Sequence, residues 1–370
     1  MTKAAELAKM GEVLTNSQIG GRRNIIINGA MNVAQRKTSS TGEGASSNFL
    51  IDRFRQNHNG NSAGRYTVSQ ATDVHDGFAN ALKLDCTTAD TSIAAAERFF
   101  IEYPFEGQDL QQFKKGTSDA EDFMVSFYAK ANGNFTYVVG FYDNDNNRTV
   151  SRTFSVTSSW QRFIINFGKD TTGAFDDDNN LSLQLRWYLH AGSNYTGGTL
   201  QEVWDAVTNN ETAGGMTSSF FSSTDNEFYL TGVQLEVGSQ ATPFEHRSFG
   251  EELALCQRYY HRHESDGSSQ NMFGVGFCDG TNNATIQIHF PTTMRDQPSA
   301  LETTGTAGDY AIREGGGDVL TCNAVPSMSG DTTANVAVLG FATASSLTQH
   351  SGCMGRAVNN NVHLSFTSEL

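Results

Sequence analysis

The strongest constraint on the fold is an alternation of apolar and polar residues with a period of two, which recurs in many short segments. The apolar members of the clearest segment are Leu181, Leu183, Leu185, Trp187 and Leu189. Such alternation places every second side chain on one face of a β-strand. Roughly ten segments of this kind fall between residues 66 and 235, with no long helix between them. The pattern therefore predicts two stacked antiparallel sheets, a jelly-roll β-sandwich.

The composition agrees with a mainly β fold that contains many turns. The 370 residues include 36 glycines and 25 phenylalanines, but only 5 prolines. Asn, Asp, Ser and Thr are plentiful between the short apolar runs, as in all-β proteins. A chain of this length is expected to form two or three domains, each large enough to bury a core.

The charge balance disfavours two classes of partner. With 25 basic and 40 acidic residues, the formal net charge is -15. Nucleic acid and anionic membrane surfaces repel such a chain, so neither is an expected partner. Because the sequence has neither a run of about 18 apolar residues nor the apolar segment of a secretory signal, we expect no membrane insertion and no secretion.

The cysteines are predicted to be reduced and mostly buried thiols of a protein made in a cytoplasm. No two of them form a Cys-x-x-Cys pair, and no cluster of zinc ligands surrounds them. We therefore predict no cofactor and no metal site. The five residues are Cys86, Cys256, Cys278, Cys322 and Cys353.

Residues 232–260 mark the end of the first predicted domain. An alternating strand at 233–237 is followed by Pro243, which cannot donate a ladder hydrogen bond. Ser248 and Glu251 then form a capping-box pattern, which predicts the start of a short helix. The predicted organisation is an N-terminal anchoring helix and linker at 1–23, a jelly-roll sandwich at 24–247, a crossover helix at 248–264 and a C-terminal β domain at 265–370.

Six segments carry a more specific pattern, which includes Gln-Leu-Glu-Val-Gly and Ala-Thr-Pro-Phe-Glu-His-Arg. In chain order they are residues 23–36, 51–54, 234–238, 241–247, 252–260 and 290–298. Together they resemble a family of bacteriophage tail-fibre-like virion proteins. The resemblance implies a jelly-roll domain like that of carbohydrate-binding modules and a trimeric assembly, and it identifies no catalytic residues.

A helical pattern at residues 2–15 precedes the β region. Its apolar stripe consists of Ala4, Leu7, Ala8 and either Val13 or Leu14. About three turns are too short to be stable alone in water, so the helix needs a partner. Because the polar linker 15–23 separates it from the body, we interpret it as an anchor that self-associates on a three-fold axis or docks into another virion protein. Packing on its own domain is the alternative.

Local patterns predict further elements outside the clearest alternation. Residues 25–27 are predicted to be the first strand, ended by an Asn-Gly turn. Residues 37–47 are predicted to form a surface loop, and residues 50–54 an extended segment. In the C-terminal domain we predict strands at 272–277, 284–290, 336–341 and 362–366, and a turn-rich loop at 308–317.

One face of the clearest strand is a candidate binding surface. Gln184, Arg186 and Tyr188 lie on the side opposite the leucine stripe. An aromatic ring beside planar hydrogen-bonding groups can stack on a sugar ring and bind its hydroxyls. The same composition suits a subunit interface or plain exposure to solvent, so the sequence leaves these three alternatives open.

Two motifs allow both a metal-binding and a simpler interpretation. The run 143–147 resembles the start of a calcium loop, but Arg148 and Phe154 stand where such a loop needs glycine and glutamate. A hairpin tip is therefore favoured. His261 and His263 fall on one face of an extended segment, where a metal ion would need a third ligand from elsewhere. An exposed polar loop is favoured there.

The sequence predicts a non-enzymatic protein, since it has no nucleophile elbow, phosphate loop, zinc-protease motif or dinucleotide fingerprint. Together with the resemblance, this favours a structural component of a bacteriophage virion. We expect a homotrimeric tail fibre, assembled in the host cytoplasm, attached through its N-terminus and displaying β domains for attachment to host-surface glycan. The alternatives are a capsid-surface head fibre or decoration protein, and a carbohydrate-binding accessory module of a depolymerase.

Overall fold

The computed structural model describes Lys3 and residues 23–265, 271–315, 317–344 and 346–370. The chain divides into two compact units, Met1–Arg247 and Ser248–Leu370. The predicted anchoring helix, with Ala4, Leu7, Ala8 and Leu14, lies outside the described residues. Among those that are described, no helix is both long and apolar enough to cross a membrane.

The first unit is built almost entirely from strands. They are β1 (Ser39–Glu43), β2 (Arg55–Asn59), β3 (Arg65–Ala71), β4 (Ala81–Thr88), β5 (Arg98–Glu106), β6 (Phe123–Ala131), β7 (Phe135–Asp143), β8 (Arg148–Val156), β9 (Gln161–Asn166), β10 (Leu181–Ala191), β11 (Asp205–Ala206) and β12 (Glu227–Val237). A four-residue helix α1 (Ser193–Thr196) follows β10, and short 3-10 turns occur at Gly107–Asp109, Gln111–Phe113, Asn209–Glu211 and Phe220–Ser222.

These strands form two six-stranded antiparallel sheets. Sheet 1 has the order β1-β3-β4-β12-β6-β9, and sheet 2 has the order β11-β8-β7-β10-β5-β2. Leu183, Leu185 and Trp187 are fully buried, so the leucine stripe of β10 faces the core between the sheets. The predicted antiparallel jelly-roll β-sandwich is confirmed.

The predicted first strand at residues 25–27 is wrong. The segment lies along β12, where Ile25 N donates to Leu235 O at 3.1 Å. However, the Asn24 side chain accepts from Ile26 N and from Leu235 N, at 3.0 and 3.1 Å, in place of a regular backbone ladder. The predicted turn does form, with Asn28 in the left-handed region at φ 61°.

Two other local predictions for the first unit are wrong. The expected loop at 37–47 contains β1, which pairs with β3 through an irregular register. The expected extended segment at 50–54 is a turn, because Arg53 adopts φ 72° and Phe54 N donates to Ile51 O at 3.0 Å. The buried Arg53 guanidinium donates to Pro104 O at 2.7 Å, a long-range contact that no local pattern reveals.

The second unit opens with helix α2 (Phe249–Gln257), whose first turn is capped as predicted, since Ser248 Oγ accepts from Glu251 N at 3.3 Å. The helix ends at Gln257, short of the predicted 264, because residues 260–264 pair as a strand. The strands are β13 (Tyr260–Glu264), β14 (Met272–Cys278), β15 (Asn283–His289), β16 (Ala300–Thr303), β17 (Tyr310–Glu314), β18 (Val319–Thr321), β19 (Ser327–Met328), β20 (Val336–Ala342), β21 (Gly352–Ala357) and β22 (His363–Thr367).

The second unit has its own core between two antiparallel sheets. One has the order β13-β22-β16, and the other has the order β18-β17-β21-β14-β15-β20-β19. Ile286, Leu339 and Phe366 are fully buried in a single cluster. The four predicted C-terminal strands are confirmed. The predicted loop at 308–317 is wrong, because β17 pairs with β21 and buries Tyr310 and Ile312.

The prediction of reduced, buried cysteines is confirmed. All five thiols are free, and each belongs to a buried residue. Burial raises the pKa of Cys86 to about 11 and that of Cys322 to about 12, so both thiols stay protonated at neutral pH.

Candidate functional site

The predicted binding residues Gln184, Arg186 and Tyr188 share one face of β10, here called the outer face of sheet 2. The expectation that this face is open does not hold at two of them, since Gln184 and Tyr188 are each 3% exposed. Tyr188 packs against Phe100, with ring centres 5.2 Å apart.

The segment 192–217, which lies between β10 and β12, covers Tyr188. Ala213 is buried in the same apolar cluster as Tyr188, and Tyr195, Leu200 and Met216 pack against it. Tyr188 therefore supports this covering segment, and its ring is not available to stack on a sugar. The alternation of β10 shows which side chains share a face, but not what covers that face.

Arg186 belongs to a charged row that crosses three strands of sheet 2. It pairs in register with Glu102 of β5, which in turn pairs with Arg55 of β2. The buried Glu102 carboxylate accepts from Arg55 Nε and lies 3.6 Å from Arg186 Nε. The Arg186 guanidinium lies 4.2 Å from the ring centre of Tyr142 and 5.0 Å from that of Phe100. Its contact with a glycan or a subunit stays a prediction.

The covering segment itself forms a surface pocket of about 450 Å³. Two parts of the segment meet there, namely helix α1 and the 3-10 turn Asn209–Glu211. The turn is tied in place because Gly198 N donates to Asn210 O at 2.7 Å. The lining residues, here called the amide pocket, are Ser193, Asn194, Tyr195, Asn209 and Asn210.

Tyr195 is the aromatic wall of the amide pocket and is held from several sides. Its carbonyl accepts from Ala213 N at 2.9 Å, and its N–H donates to Gly192 O at 3.0 Å. The Arg98 guanidinium lies 4.7 Å from the centre of its ring, at a distance typical of a cation–π contact. The half-buried ring is thus fixed before any ligand binds.

The polar side chains of the amide pocket are neutral and exposed. Within the described part of the chain, the amides of Asn194, Asn209 and Asn210 make no side-chain hydrogen bond. Each amide offers two donor hydrogens and one acceptor oxygen. Neutral amides around a fixed aromatic ring match a ligand with many hydroxyls and an apolar C–H face, which is the chemistry of a saccharide.

Sequence reasoning did not identify the amide pocket. Its residues occur in two short polar runs near Gly192, Gly197 and Gly198, and such runs are typical of any surface turn. Tyr195, a single aromatic residue within one of these runs, is the feature of the sequence that could have indicated a binding site. That signal becomes informative only once the fold brings 193–195 next to 209–210.

A buried ionic centre surrounds Asp143, the first residue of the run that resembles a calcium loop. Lys115 Nζ lies 2.6 Å from Asp143 Oδ2 and 3.2 Å from Asp170 Oδ2, and the side chains of Lys115 and Asp143 are fully buried. Arg148 donates to both oxygens of Asp170, at 2.8 and 3.1 Å. Asp143 also accepts from Asn146 N in the turn. The hairpin interpretation of 143–147 is thus confirmed, with the ammonium group of Lys115 neutralising Asp143.

His261 and His263 do not lie in an exposed loop, as was expected, but in β13. His261 is 8% exposed and packs against Phe290 and Phe366, with ring centres 5.8 and 6.4 Å away. His263 packs edge-on against Phe273 at 5.3 Å. Burial lowers the pKa of His261 to about 4, and the nearby His263 adds to the shift. Both imidazoles are part of the packing of the second unit.

Comparisons with known proteins find only low similarity to solved structures. No protein-family model matches the sequence, and no curated relative matches it. The enzymatically active domain of bacteriophage CBA120 tailspike protein 4 is 10% identical over 58% of this chain, with a TM-score of 0.28, and the chain spans 21% of that protein.

Two carbohydrate-binding modules give similar values. A family 61 module in complex with β-1,4-galactotriose is 10% identical, with a TM-score of 0.29, covering 58% of this chain and 99% of the module. A family 11 module from Clostridium thermocellum, in complex with a mixed-linked tetrasaccharide, is 11% identical with a TM-score of 0.27, covering 56% of this chain and 98% of the module.

Proposed function

We propose that this chain is a structural component of a bacteriophage virion that binds saccharides of the host surface through the amide pocket. The observation that carries the proposal is the fixed ring of Tyr195 beside three exposed amides, from Asn194, Asn209 and Asn210. The sequence resemblance to tail-fibre-like virion proteins supports the same function. We propose a binding role without catalysis.

The physical basis of recognition is stacking combined with neutral hydrogen bonds. A sugar ring placed on Tyr195 would bury its C–H face, and the asparagine amides would bind its hydroxyls. Because the amides are exposed in the free protein, they exchange hydrogen bonds with water for hydrogen bonds with sugar, and the net gain is small. Weak binding by a single pocket is therefore expected.

Assembly would convert weak binding into firm attachment. We propose a homotrimeric tail fibre that is joined to another virion protein through its N-terminal segment, with Ala4, Leu7, Ala8 and Leu14 on the assembly stripe. Three linked pockets raise the effective concentration of each binding event, so avidity grows without any new contact. The solution mass of the full chain, compared with that of a chain starting at Ile25, tests this assembly, and a monomer in both cases would contradict it.

The glycan proposal is tested with the full chain on an array of bacterial surface polysaccharides, followed by titration calorimetry with an oligosaccharide that binds. We expect Tyr195→Ala to weaken binding roughly tenfold or more, because it removes the stacking surface. Tyr195→Phe keeps the ring and should stay within roughly threefold of the parent chain.

A matched asparagine pair provides the control. Asn210→Ala removes one amide of the pocket and should weaken binding by roughly fivefold. Asn282→Ala changes an exposed asparagine of the second unit and should have no effect. Equal affinity of the parent chain and Tyr195→Ala for every bound glycan would place recognition elsewhere on the molecule.

A further inference from the structure

Three residues that are far apart in sequence meet at a second buried centre of the first unit. Asp90 follows β4, Glu97 directly precedes β5, and His190 lies near the end of β10. All three are buried, and His190 is completely so. One side-chain ligand atom of each lies within 4.8 Å of those of the other two.

The His190 ring is oriented by a hydrogen bond on its far side. Its Nδ1 lies 2.8 Å from Ser219 Oγ, and the same oxygen accepts from Phe221 N at 3.2 Å. A proton on Nδ1 that is donated to Ser219 leaves the Nε2 lone pair directed towards the carboxylates. Nε2 is buried 3.5 Å from Glu97 Oε2 and has no hydrogen-bond partner among the residues that the structure describes.

Asp90 is held as a carboxylate. Its Oδ2 accepts from Ser62 Oγ at 2.6 Å and from Ala63 N at 2.8 Å, and its Oδ1 accepts from Ser92 N at 3.2 Å. Burial opposes ionisation, but these hydrogen bonds lower the pKa of Asp90 below its ordinary value. These three hydrogen bonds fix the position of the Asp90 carboxyl group.

Glu97 places a second carboxylate beside the first. Its Oε2 accepts from Ala94 N at 3.0 Å, while burial, together with the nearby Asp90, raises its pKa. Within the described ranges, no lysine or arginine forms an ion pair with either Asp90 or Glu97. Two adjacent buried carboxylates without a cation are costly, unless they share a proton or bind a cation that the chain itself does not supply.

We infer that Asp90, Glu97 and His190 bind one divalent transition-metal ion, with Zn²⁺ as the best match. Imidazole nitrogen combined with carboxylate oxygen suits zinc and its neighbours in the first transition row, whereas calcium and magnesium prefer oxygen ligands alone. Three protein ligands leave a position for water. The donor atoms lie within 4.8 Å of one another, so binding at the usual zinc–ligand distance of about 2 Å would draw the three side chains together.

The ion would join the segment 90–97 to the end of β10, directly below the amide pocket. Gly192 N donates to Glu97 O at 2.7 Å, and Asn194 N donates to Ala95 O at 3.0 Å, so the metal-binding segment also supports helix α1. We therefore assign the ion a structural role, which is to hold the segment 90–97 against the end of β10. This role does not depend on glycan binding.

The test measures zinc uptake by the full, untagged chain after removal of metal with a chelator. Equilibrium dialysis against Zn²⁺, with the bound metal quantified by mass spectrometry, should give one tightly bound ion per chain. His190→Gln should weaken zinc binding at least tenfold, whereas His289→Gln, which changes an exposed histidine of β15, should leave it unchanged. Co²⁺ in place of Zn²⁺ should give visible absorption that the His190→Gln variant lacks.

The variant Glu97→Gln provides a second test in case His190→Gln does not fold. Glu97→Gln retains an acceptor for Ala94 N, so the fold should survive and zinc affinity should fall at least tenfold. The inference is overturned by a parent chain that retains no zinc, by uptake that both variants leave unchanged, or by a preference for Ca²⁺ over Zn²⁺ that does not depend on His190.

Discussion

Two buried charged centres of the first unit, one around Lys115 and one around His190, differ in their charge balance. Around Lys115, two cations face two carboxylates, because Lys115 and Arg148 pair with Asp143 and Asp170. Around His190, no lysine or arginine of the described residues forms an ion pair with Asp90 or Glu97, and burial lowers the pKa of the His190 imidazole to about 4. Both centres are buried to a similar degree, but only the first is balanced in charge by the chain itself.

The difference shows that the role of a buried polar cluster can be inferred from its charge balance and its hydrogen bonds. A balanced centre with satisfied hydrogen bonds stabilises the fold once it is complete, and it binds nothing further. Lys115 Nζ also donates to Thr172 O at 2.9 Å and to Gly173 O at 2.7 Å, so its three donor hydrogens have partners. The centre around His190 has two neighbouring carboxylates and, among the described residues, no hydrogen-bond partner for the ring Nε2, and the proposed cation would balance it.

The largest effect is expected when the balanced centre is made unbalanced. Lys115→Met keeps the volume but removes the ammonium group, so Asp143 loses its cation in a fully buried position. We expect a loss of about 3 to 5 kcal/mol in the free energy of unfolding. Urea unfolding followed by tryptophan fluorescence measures it, because Trp160, Trp187 and Trp204 all lie in the first unit.

The control for this variant is the neighbouring lysine. Lys114→Met removes an exposed ammonium group that pairs with Glu121 at 3.1 Å, and it should cost less than about 0.5 kcal/mol. If the two lysine variants lost the same free energy of unfolding, burial would not be what makes the removal of Lys115 costly.

The next effect, which is about as large, tests the buried imidazole of His261, whose pKa is lowered by burial and by the nearby His263. Folded His261 has a pKa of about 4, against 6.5 in the unfolded chain. Between these values only the unfolded chain takes up the proton, so stability is full above about pH 6.5 and falls as the pH drops towards 4. We expect this group to account for about 3 kcal/mol of the loss.

Calorimetric unfolding of the full chain at several pH values measures this dependence. His261→Gln should flatten the change of stability with pH in the second unit, whereas exposed His289→Gln should leave it unchanged. The same pH dependence in His261→Gln and the parent chain would contradict the prediction.

The smallest effect is expected when one negative charge is removed from the centre around His190. Without metal, Glu97→Gln removes the repulsion between two buried carboxylates and should raise the free energy of unfolding by on the order of 1 kcal/mol. Chelator-treated protein unfolded in urea provides the measurement. The control is Glu202→Gln, at an exposed position, which should change the free energy of unfolding by less than about 0.5 kcal/mol. A clear loss of stability in Glu97→Gln would contradict repulsion between the carboxylates of Asp90 and Glu97.

The sequence predicted those features of the fold that depend on local periodicity. The alternation at 181–189 identified the central strand of a sandwich, and Ser248 identified the start of α2. It failed where a long-range contact decides the backbone, as at Arg53, whose guanidinium donates to Pro104 O. It also failed at 310–314, where glycine-rich flanks conceal a strand that pairs with β21.

The candidate sites were harder to predict, because their residues are brought together only by the fold. His261 and His263 are close in sequence and suggested a metal site, yet they pack among phenylalanines. Asp90, Glu97 and His190 have no local pattern in common, since the first two lie in a turn segment and the third follows a leucine stripe. The pairing of β5 with β10 brings Glu97 close to His190, and hydrogen bonds from Ser62 and Ala63 hold Asp90.

The covering segment 192–217 has a consequence for the proposed binding of saccharide. It is a single continuous excursion of the chain, fixed at its start by Gly192 N to Glu97 O and near its end by Thr217 N to Thr136 O. It supplies every lining residue of the amide pocket, whereas the sheets beneath supply none. Under the proposed function, exchange of this one stretch for another of similar length would be enough to alter the saccharide that is bound, while the sandwich beneath stays unchanged.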